Sequence, residues 1–428
     1  MRKIVTTKTT MTEKKRVFPI NTATACQAKW AWSSLYLNTG ITASCHRSSR
    51  SAITAEDFDT FHNTDLKLSD RKAMLRGEWP EESCSYCQVL EENGNGSDRT
   101  TTMNNIPNVV PEELYSDASA IEISPTIVEV FFNNTCNLGC LYCHGAVSSV
   151  IESENRKFGT FNSNGVKLET IIPQFKNLLP SFWRWFDKNF KSLKRFQILG
   201  GEPFYQKEFY QLLDKIDENP NPNCELSIVT NLMLPTEKLE VIIQRLKKIV
   251  AARKIKRVDI TCSIDCWGLE QEFVRDGLDL ELWERNFNLL VANKWLYLSL
   301  NHTITVLTIK TLPDLLKKLI VWRTKHKVGQ HFTLPSPGPS FMQPYILNSN
   351  EFKDDFDNIL ELMPQDTQDN INSYKYMESI KQLATSNTNV DAVEVKKLFT
   401  YLDEMDRRRS RNWEKVFPWL TEYRQYVV

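Results

Sequence analysis

The sequence predicts a mixed α/β protein whose centre is a partial barrel of six βα units. Between residues 121 and 335, six short apolar segments with strand character alternate with longer amphipathic segments. Such alternation is typical of a parallel sheet flanked by helices. The span is slightly shorter than the roughly 250 residues of a complete eight-unit barrel. We therefore predict a partial (β/α)6 TIM-like barrel.

Composition excludes several classes of protein. The chain has 428 residues, of which 41% are hydrophobic and 25% charged, as in an ordinary globular protein of two or three domains. Lys plus Arg and Asp plus Glu both number 53, and this zero net charge argues against a dedicated nucleic-acid-binding protein. The sequence shows neither an apolar run of roughly 18 residues, as a membrane span needs, nor the apolar region of a secretory signal.

The barrel elements are predicted from their hydrophobic periodicity. The predicted strands are 126–132, 195–199, 225–230, 257–264, 296–306 and 331–335. Helical patterns between them include 168–179, 236–252 and 312–324. Along the strand 257–264 and just beyond it, Asp259, Thr261, Ser263 and Asp265 share one face, which we expect to line a polar barrel lumen.

Two further regions flank the barrel. Residues 1–20 are predicted to be a flexible basic arm, and residues 21–110 a mostly irregular module that ends in a polar linker or surface loop at 91–105. Residues 336–428 are predicted to be a helical C-terminal extension. Its packing face is expected to consist of Val395, Leu398, Phe399, Leu402 and Met405.

A basic cluster follows that packing face, formed by Arg407, Arg408, Arg409 and Arg411. It is interpreted either as a solvated helix end or as a contact with an anionic partner or another domain.

The ten cysteines carry the strongest chemical signal. They are bunched at metal-ligand spacings in a long chain, which favours a reducing, cytoplasmic compartment over a disulfide scaffold. Cys136, Cys140 and Cys143 form a C-x3-C-x2-C triplet directly after the first barrel strand. Three thiolates can bind three irons of a [4Fe–4S] cluster and leave the fourth iron open for chemistry. A zinc site completed by His144 or a distant residue is the alternative.

The triplet, with Tyr142 before its last cysteine, resembles the signature of the radical S-adenosylmethionine superfamily. The resemblance implies that Cys136, Cys140 and Cys143 are the catalytic cluster ligands and that S-adenosylmethionine chelates the open iron. It also implies reductive cleavage of S-adenosylmethionine to a 5′-deoxyadenosyl radical, which abstracts hydrogen from a substrate. Tyr142 is then a cofactor-binding residue.

Other positions match the superfamily at predicted strand ends, where barrel active sites lie. Gly200, Gly201, Glu202 and Pro203 follow the second barrel strand and resemble the GGE motif, although such a sequence can also form an ordinary turn. The resemblance further implies cofactor contacts for Asn231, Ser263, Asp265 and Asn301. Asn is also common in turns.

Three other cysteines lie within or next to predicted barrel strands. Cys224 and Cys262 are interpreted as structural thiols, and Cys266 either as a core thiol or as a hydrogen donor that quenches a radical.

A second set of cysteines precedes the barrel and comprises Cys26, Cys45, Cys84 and Cys87. Gly40 to Cys45 reads G-x4-C, and Cys84 to Cys87 reads C-x2-C. Both resemble pieces of the twitch module, a shorter relative of SPASM that holds an auxiliary [4Fe–4S] cluster. The module is N-terminal to the barrel here, whereas it is usually C-terminal, and its first interval is longer than the usual pattern. The arrangement resembles that of twitch-bearing radical proteins from phages. A structural zinc site is the alternative.

The predicted function is radical modification of a peptide or protein side chain, because superfamily members with twitch or SPASM modules mostly act on such substrates. A reducing partner such as flavodoxin or ferredoxin is expected, and neither a membrane nor a nucleic acid. The alternatives are modification of a nucleoside, RNA or a small metabolite, and a non-catalytic iron–sulfur or zinc scaffold.

Overall fold

The computed structural model describes residues 17–94, 96–105, 109–161, 174–335, 338–348, 350–386 and 389–426. Most of the predicted basic arm lies outside the described residues. The predicted limits of the four regions stay predictions.

Strands in the described residues form one large sheet and one short pair. In chain order they are β1 (Trp32–Tyr36), β2 (Ile41–Ala43), β3 (Ser51–Ala52), β4 (Ile127–Phe131), β5 (Gly139–Cys140), β6 (Arg195–Leu199), β7 (Asn221–Thr230), β8 (Ile255–Ser263), β9 (Arg275–Asp276), β10 (Tyr297–Thr303) and β11 (Val328–Thr333).

The large sheet has the order β11-β10-β8-β7-β6-β4-β1-β2-β3, and β5 pairs only with β9. All neighbours from β11 to β1 are parallel, whereas β2 and β3 are antiparallel additions. The six predicted barrel strands correspond to β4, β6, β7, β8, β10 and β11, which confirms the partial barrel. An unpredicted seventh parallel strand, β1, comes from the N-terminal region and pairs Trp32 with Ile127.

Helices surround the sheet. In chain order the α-helices are α1 (Gln27–Ala31), α2 (Asp65–Leu75), α3 (Glu81–Glu92), α4 (Asp98–Asn105), α5 (Glu113–Ser116), α6 (Ser149–Phe158), α7 (Phe175–Asn189), α8 (Lys207–Glu218), α9 (Thr236–Ala251), α10 (Leu269–Val274), α11 (Leu280–Ala292), α12 (Leu312–Arg323), α13 (Lys353–Leu362), α14 (Gln368–Ser386), α15 (Ala392–Arg409) and α16 (Trp413–Val416). Short 3-10 helices occur at Phe58–Thr60, Phe190–Ser192, Pro203–Tyr205, Ser340–Met342, Pro344–Ile346 and Pro418–Tyr426.

The predicted helices 236–252 and 312–324 correspond to α9 and α12. The start of the predicted helix 168–179 lies outside the described residues, and α7 begins at Phe175. Within the described residues, no helix is long and apolar enough to cross a membrane.

The barrel lumen is polar, as the strand parity predicts. On β8, Val258, Ile260 and Cys262 are fully buried in the hydrophobic core, whereas Arg257, Asp259 and Thr261 on the alternate face are only partly buried. Thr261 bonds Ser299 of β10 across this polar face, at 2.8 Å between the two hydroxyl oxygens. Near the amino-terminal strand ends, Arg195 and Arg257 both donate to Glu225. Polar side chains therefore fill the lumen from its base towards the strand ends.

The N-terminal region contains more regular structure than its sequence predicts. It supplies three strands and five helices, and α4 occupies most of the predicted linker at 91–105. Arg99 of α4 donates to Glu91 of α3, an ion pair that fastens these helices to each other. Long-range pairing of β1 with β4 also stabilises this region, and neither interaction can be read from local sequence.

The C-terminal extension packs through its predicted face. All five predicted side chains of α15 are almost completely buried. Nearby, α14 covers the edge strand β11, where Ser373 Oγ donates to the carbonyl of Gln330 at 3.1 Å. Tyr376 of α14 interacts electrostatically with Arg47 and Tyr86 of the N-terminal region. The N-terminal region therefore extends from the β4 side of the sheet to helices on the β11 side.

Candidate active site

The signature triplet, Cys136, Cys140 and Cys143, lies on the cysteine loop, the segment 132–148 between β4 and α6. The first turn of α6 fixes this loop. Ser149 Oγ accepts from the amide of Cys136 and donates to its carbonyl, both at 3.1 Å. The α6 N-cap residue Ser148 donates to the carbonyl of Leu138 at 3.0 Å while its oxygen accepts from Ile151. Helix capping thus positions the loop.

A short antiparallel pair holds the middle of the loop. Strand β5 pairs Cys140 with Arg275 of β9, and the amide of Leu141 donates to the carbonyl of Val274 at 2.9 Å. Arg275 Nη1 lies 4.0 Å from the Cys140 sulfur. Burial raises the pKa of the Cys140 thiol to about 12, and the Arg275 guanidinium acts in the opposite direction.

Asp265, just beyond β8, organises the same region. Its buried carboxylate accepts two bonds from the Arg275 guanidinium at 2.8 Å and one from the Tyr142 hydroxyl at 2.7 Å. The amide of Thr303 donates to it as well, at 2.8 Å. Asp265 and Tyr142 therefore hold the cysteine loop against β8 and β10. Their predicted contacts with a cofactor stay predictions.

The glycine pair after β6 lies directly on the cysteine loop. Gly201 donates to the carbonyl of Val147 at 3.0 Å, and Glu202 donates to the carbonyl of Thr135 at 2.8 Å. Gly201 has a φ of +60°, and a Cβ added there would lie 2.3 Å from the Thr135 carbonyl oxygen. Only glycine allows this approach, so the second motif is built to contact the first.

Glu202 is fully buried and accepts only from uncharged donors. Its carboxylate accepts from the Thr230 hydroxyl at 2.8 Å and from the amides of Asn231 at 2.7 Å and Phe204 at 3.1 Å. Burial raises its pKa to about 7, although these bonds act in the opposite direction. Pro203 begins the 3-10 turn that follows. A carboxyl group of this kind is poised to lose its proton when a cation binds nearby.

The end of β7 completes the contact between the two motifs. Asn231 Nδ2 donates to Asn137 Oδ1 at 2.9 Å and lies 3.9 Å from the Cys136 sulfur. Thus the structure brings the triplet, the glycine pair, Glu202, Asn231 and Asp265 together at the carboxyl ends of neighbouring parallel strands.

Residues 130–263, which span β4 to β8, match the family model of the Radical SAM superfamily. The chain carries a radical SAM enzyme domain. The matched residues include the signature triplet and the glycine pair. This match and the cysteine loop support a [4Fe–4S] cluster and S-adenosylmethionine as its cofactors.

Solved structures similar to the chain include SuiB of Streptococcus suis bound to S-adenosylmethionine, with 15% identity over 65% of this chain and 59% of that one, and a TM-score of 0.34. SuiB bound to its precursor peptide SuiA gives 16% identity over 71% and 60%, with a TM-score of 0.32. TYW1 with a lysine–pyruvate adduct gives 18% identity over 56% and 69%, with a TM-score of 0.29.

The chain spans about 59% of the length of the first of these structures. TM-scores of this size do not establish a shared activity. A search of curated protein sequences found no relative of the chain.

In the radical SAM domain, the predicted residues Ser263 and Asn301 are paired neighbours on β8 and β10. No hydrogen bond joins either side chain to another described residue. Both lie at the end of the lumen that carries the cysteine loop, and their cofactor contacts stay predictions. Cys224, Cys262 and Cys266 are fully buried, as structural thiols would be.

Glu129, a buried carboxylate on the lumen face of β4, is a site residue that was not predicted from the sequence. It accepts from Ser34 Oγ at 3.0 Å and from Gln197 Nε2 at 3.3 Å, and it pairs with His46 at 3.4 Å. Burial raises the pKa of Glu129. The available signal was a single acidic residue within an apolar strand. Since Ser34 and His46 belong to the N-terminal region, that region forms part of the lumen wall.

The N-terminal cysteines come from three elements. Cys26 caps α1, Cys45 follows β2, and Cys84 and Cys87 lie one turn apart on α3. Burial raises the pKa of Cys26 and of Cys84 to about 12, and electrostatic interaction with Cys45 adds to each rise. Cys87 interacts with Cys45 as well. The structure therefore brings the four thiols into one neighbourhood.

In neither cysteine set do the described side chains converge on a single metal position. Within the described ranges, no group of three or more His, Cys, Asp or Glu side chains is arranged to hold a metal ion, and this applies to the signature triplet as well as to the N-terminal cysteines.

Buried cations surround the N-terminal cysteines. Lys29, Lys67 and Arg71 are almost completely buried, and the buried carboxylate beside them is Asp70. Lys29 Nζ pairs with Asp70 at 2.6 Å. Lys67 donates to Ser33, Thr42 and the carbonyl of Phe61, all neutral acceptors at 2.8 Å. Burial lowers the pKa of Arg71 to about 10 and that of Lys67 well below its usual range. Within the described residues, Lys67 and Arg71 thus have no carboxylate of their own.

Proposed function

We propose that this chain reductively cleaves S-adenosylmethionine and uses the resulting radical to modify a peptide or protein side chain. Cys136, Cys140 and Cys143 would hold the [4Fe–4S] cluster. One observation carries the proposal: the Gly200–Gly201 pair contacts the cysteine loop so closely that a Cβ at Gly201 would overlap Thr135. Two motifs of one cofactor site are thereby joined in space, within a domain that matches the superfamily.

When bound, the cluster supplies the electron that cleaves S-adenosylmethionine to a 5′-deoxyadenosyl radical. Around it, Ser148 and Ser149 hold the loop, and Asp265 holds Arg275 beside Cys140. Glu202 favours the ammonium group of the methionine moiety, because a nearby cation stabilises its ionised form. The arrangement orients the cofactor towards the lumen.

The lumen is the proposed substrate site. Ser263 and Asn301 offer polar groups near the cysteine loop. Glu129 offers a carboxylate on the side of the lumen that the N-terminal region lines. His46, which is half exposed, lies 3.4 Å from the Glu129 carboxylate. A substrate would therefore contact both the barrel and the N-terminal region. The resemblance of that region to a twitch module supports a peptide or protein as the substrate.

The N-terminal cysteines are proposed to bind an auxiliary [4Fe–4S] cluster. A four-thiolate cluster carries a net negative charge of about two, and buried charges are tolerated when they are paired. Lys67 and Arg71, whose bonds go to neutral acceptors, provide the complementary charge, whereas Lys29 is already paired with Asp70. With four thiolates the cluster has no open iron, so its proposed roles are electron transfer and support of the lumen wall.

The test is anaerobic reconstitution with iron and sulfide, followed by incubation with S-adenosylmethionine and dithionite or reduced flavodoxin. We expect 5′-deoxyadenosine and about eight irons per chain. A peptide substrate is then identified by its change in mass and by incorporation of its deuterium into 5′-deoxyadenosine. No 5′-deoxyadenosine from protein with full iron content would contradict the proposal. Zinc at the N-terminal site would contradict only the proposed auxiliary cluster and not the proposed radical chemistry.

A further inference from the structure

The C-terminal helix α15 contacts both elements that hold the cysteine loop. Tyr401 Oη donates to the carbonyl of Leu141, within the loop, at 2.6 Å. Arg409, at the last position of α15, pairs with Glu154 of α6 and lies 3.6 Å from the Asp276 carboxylate of β9. Arg411, just beyond the helix, pairs with Asp276 as well, at 2.5 Å. The basic cluster is therefore largely bonded within the chain. An anionic partner is not needed to explain it.

Arg409 is buried beside the loop and incompletely bonded. Its Nε and Nη2 donate to the two carboxylate oxygens of Glu154 at 2.8 and 2.9 Å. Its side chain is 6% exposed, and Nη1 is buried without a partner among the described residues. A Cβ added to Gly139 would lie 3.2 Å from Arg409 Nη2. This guanidinium therefore lies against the residue that precedes Cys140.

Cys140 thus has two buried guanidinium groups near it. Arg275 Nη1 lies 4.0 Å from its sulfur, and Arg275 is fixed by Asp265 in a bidentate pair. An unpartnered buried N–H carries a free-energy cost. A thiolate or sulfide acceptor would remove that cost.

We infer that Arg275 and Arg409 are positioning residues that stabilise the reduced form of the signature cluster, so that the docked C-terminal helix forms part of the radical site. This inference rests on the proposed function. Reduction adds one negative charge in a buried place, where the surroundings screen it weakly. Hydrogen bonds to the sulfurs and local charge are among the factors that set the potential of such clusters.

The test is a redox titration that measures the midpoint potential of the signature cluster from its electron paramagnetic resonance signal. Only the signature cluster has an open iron, so its signal is the one that S-adenosylmethionine changes. In Arg409→Gln we expect the ratio of reduced to oxidised cluster at a fixed potential to fall about tenfold, which is 59 mV for one electron. Arg407→Gln is the matched control, because Arg407 lies on the same helix but is exposed and pairs only with Glu404.

A second variant separates charge from folding. Glu154→Gln keeps Arg409 in place beside Asp276 but removes one of its two neighbouring carboxylates, so the reduced fraction should rise instead of falling. A purely structural role would shift both variants in the same direction or leave both potentials unchanged, and either result would overturn the inference. Wild-type protein whose signal does not respond to S-adenosylmethionine would instead contradict the proposed function. Iron content and thermal melts, measured for every variant, show that folded protein is being compared.

Discussion

The two cysteine sets of this chain are built in opposite ways. The signature triplet comes from one loop, which is fixed by the first turn of α6 and by pairing with β9. The N-terminal cysteines come from three separate elements, and three of the four are buried. A loop with three thiolates leaves one coordination position for a ligand, whereas four converging thiolates leave none. The first arrangement suits catalysis and the second suits a closed centre.

The pairing of buried charges also differs between the surroundings of the two cysteine sets. Near the triplet each buried arginine has its own carboxylate, as in the pairs Arg275–Asp265 and Arg409–Glu154. Near the N-terminal cysteines, Lys67 and Arg71 bond only neutral acceptors. A site that is locally neutral can accept a charged cofactor and an added electron. A site with excess buried cations favours a permanent anion, such as the four-thiolate cluster proposed above.

The largest expected effect comes from removing the triplet. The Cys136→Ala/Cys140→Ala/Cys143→Ala protein should lose all formation of 5′-deoxyadenosine, because no protein ligand of the signature cluster is left. It should retain about four irons and four sulfides at the N-terminal site. Iron, sulfide and 5′-deoxyadenosine are measured after anaerobic reconstitution. Cys262→Ala, which removes a fully buried thiol outside both sets, is the control and should keep both clusters.

Undiminished 5′-deoxyadenosine from the triple variant would refute the role of the triplet. Complete loss of iron would show that the N-terminal cysteines do not form an independent centre.

Removing two N-terminal cysteines should have a large but different effect. In Cys84→Ala/Cys87→Ala, binding of S-adenosylmethionine should persist, since Gly200, Gly201 and Glu202 lie on other elements. Turnover of the substrate should fall by about tenfold or more, while uncoupled 5′-deoxyadenosine still forms. Ser85→Ala, an exposed change on the same helix, is the matched control. Thermal melts separate the roles, because an unfolded variant supports bracing and a folded inactive one supports electron transfer.

Normal turnover by the folded double variant would contradict both proposed roles of the auxiliary cluster. The two cysteine sets would then differ in structure, with no role in turnover for the N-terminal set.

A smaller effect is expected from the contact between motifs. In Gly201→Ala, the added Cβ would overlap the Thr135 carbonyl at 2.3 Å, and the residue would keep a positive φ. We expect affinity for S-adenosylmethionine to fall about tenfold, or 1.4 kcal/mol, because the glycine pair and the cysteine loop must separate. Equilibrium dialysis measures this.

Gly77→Ala is the control for backbone strain, because Gly77 also has a positive φ but lies in open space. It should destabilise the fold by about 1 kcal/mol and leave cofactor affinity unchanged. Equal losses of affinity in both variants would show that the contact with Thr135 is unimportant.

Local sequence was sufficient for the barrel and the motifs on its strands. Period-two alternation predicts the lumen face of β8, and the triplet follows a strand whose apolar character is plain. Groups positioned by distant pairing could not be predicted. Strand β1 pairs with β4 across about ninety residues of sequence, and Arg275 reaches Cys140 only because β9 pairs with β5. Arg409 reaches the loop only when α15 docks.

The smallest expected effect concerns Glu202, whose environment contrasts with that of Asp70. Asp70 has a buried cation as its partner, whereas Glu202 has only neutral donors, and burial raises its pKa to about 7. Below that pH the carboxyl group must lose a proton before it can favour the ammonium of S-adenosylmethionine. Affinity should therefore increase about sevenfold from pH 6 to 7.3, as the ionised fraction rises. Above this range the ammonium group itself begins to lose its proton.

Glu202→Gln should bind more weakly at pH 7.3 and show no such increase. Parallel pH profiles for the two proteins would mean that Glu202 only fastens Thr230 and Asn231 to the glycine pair.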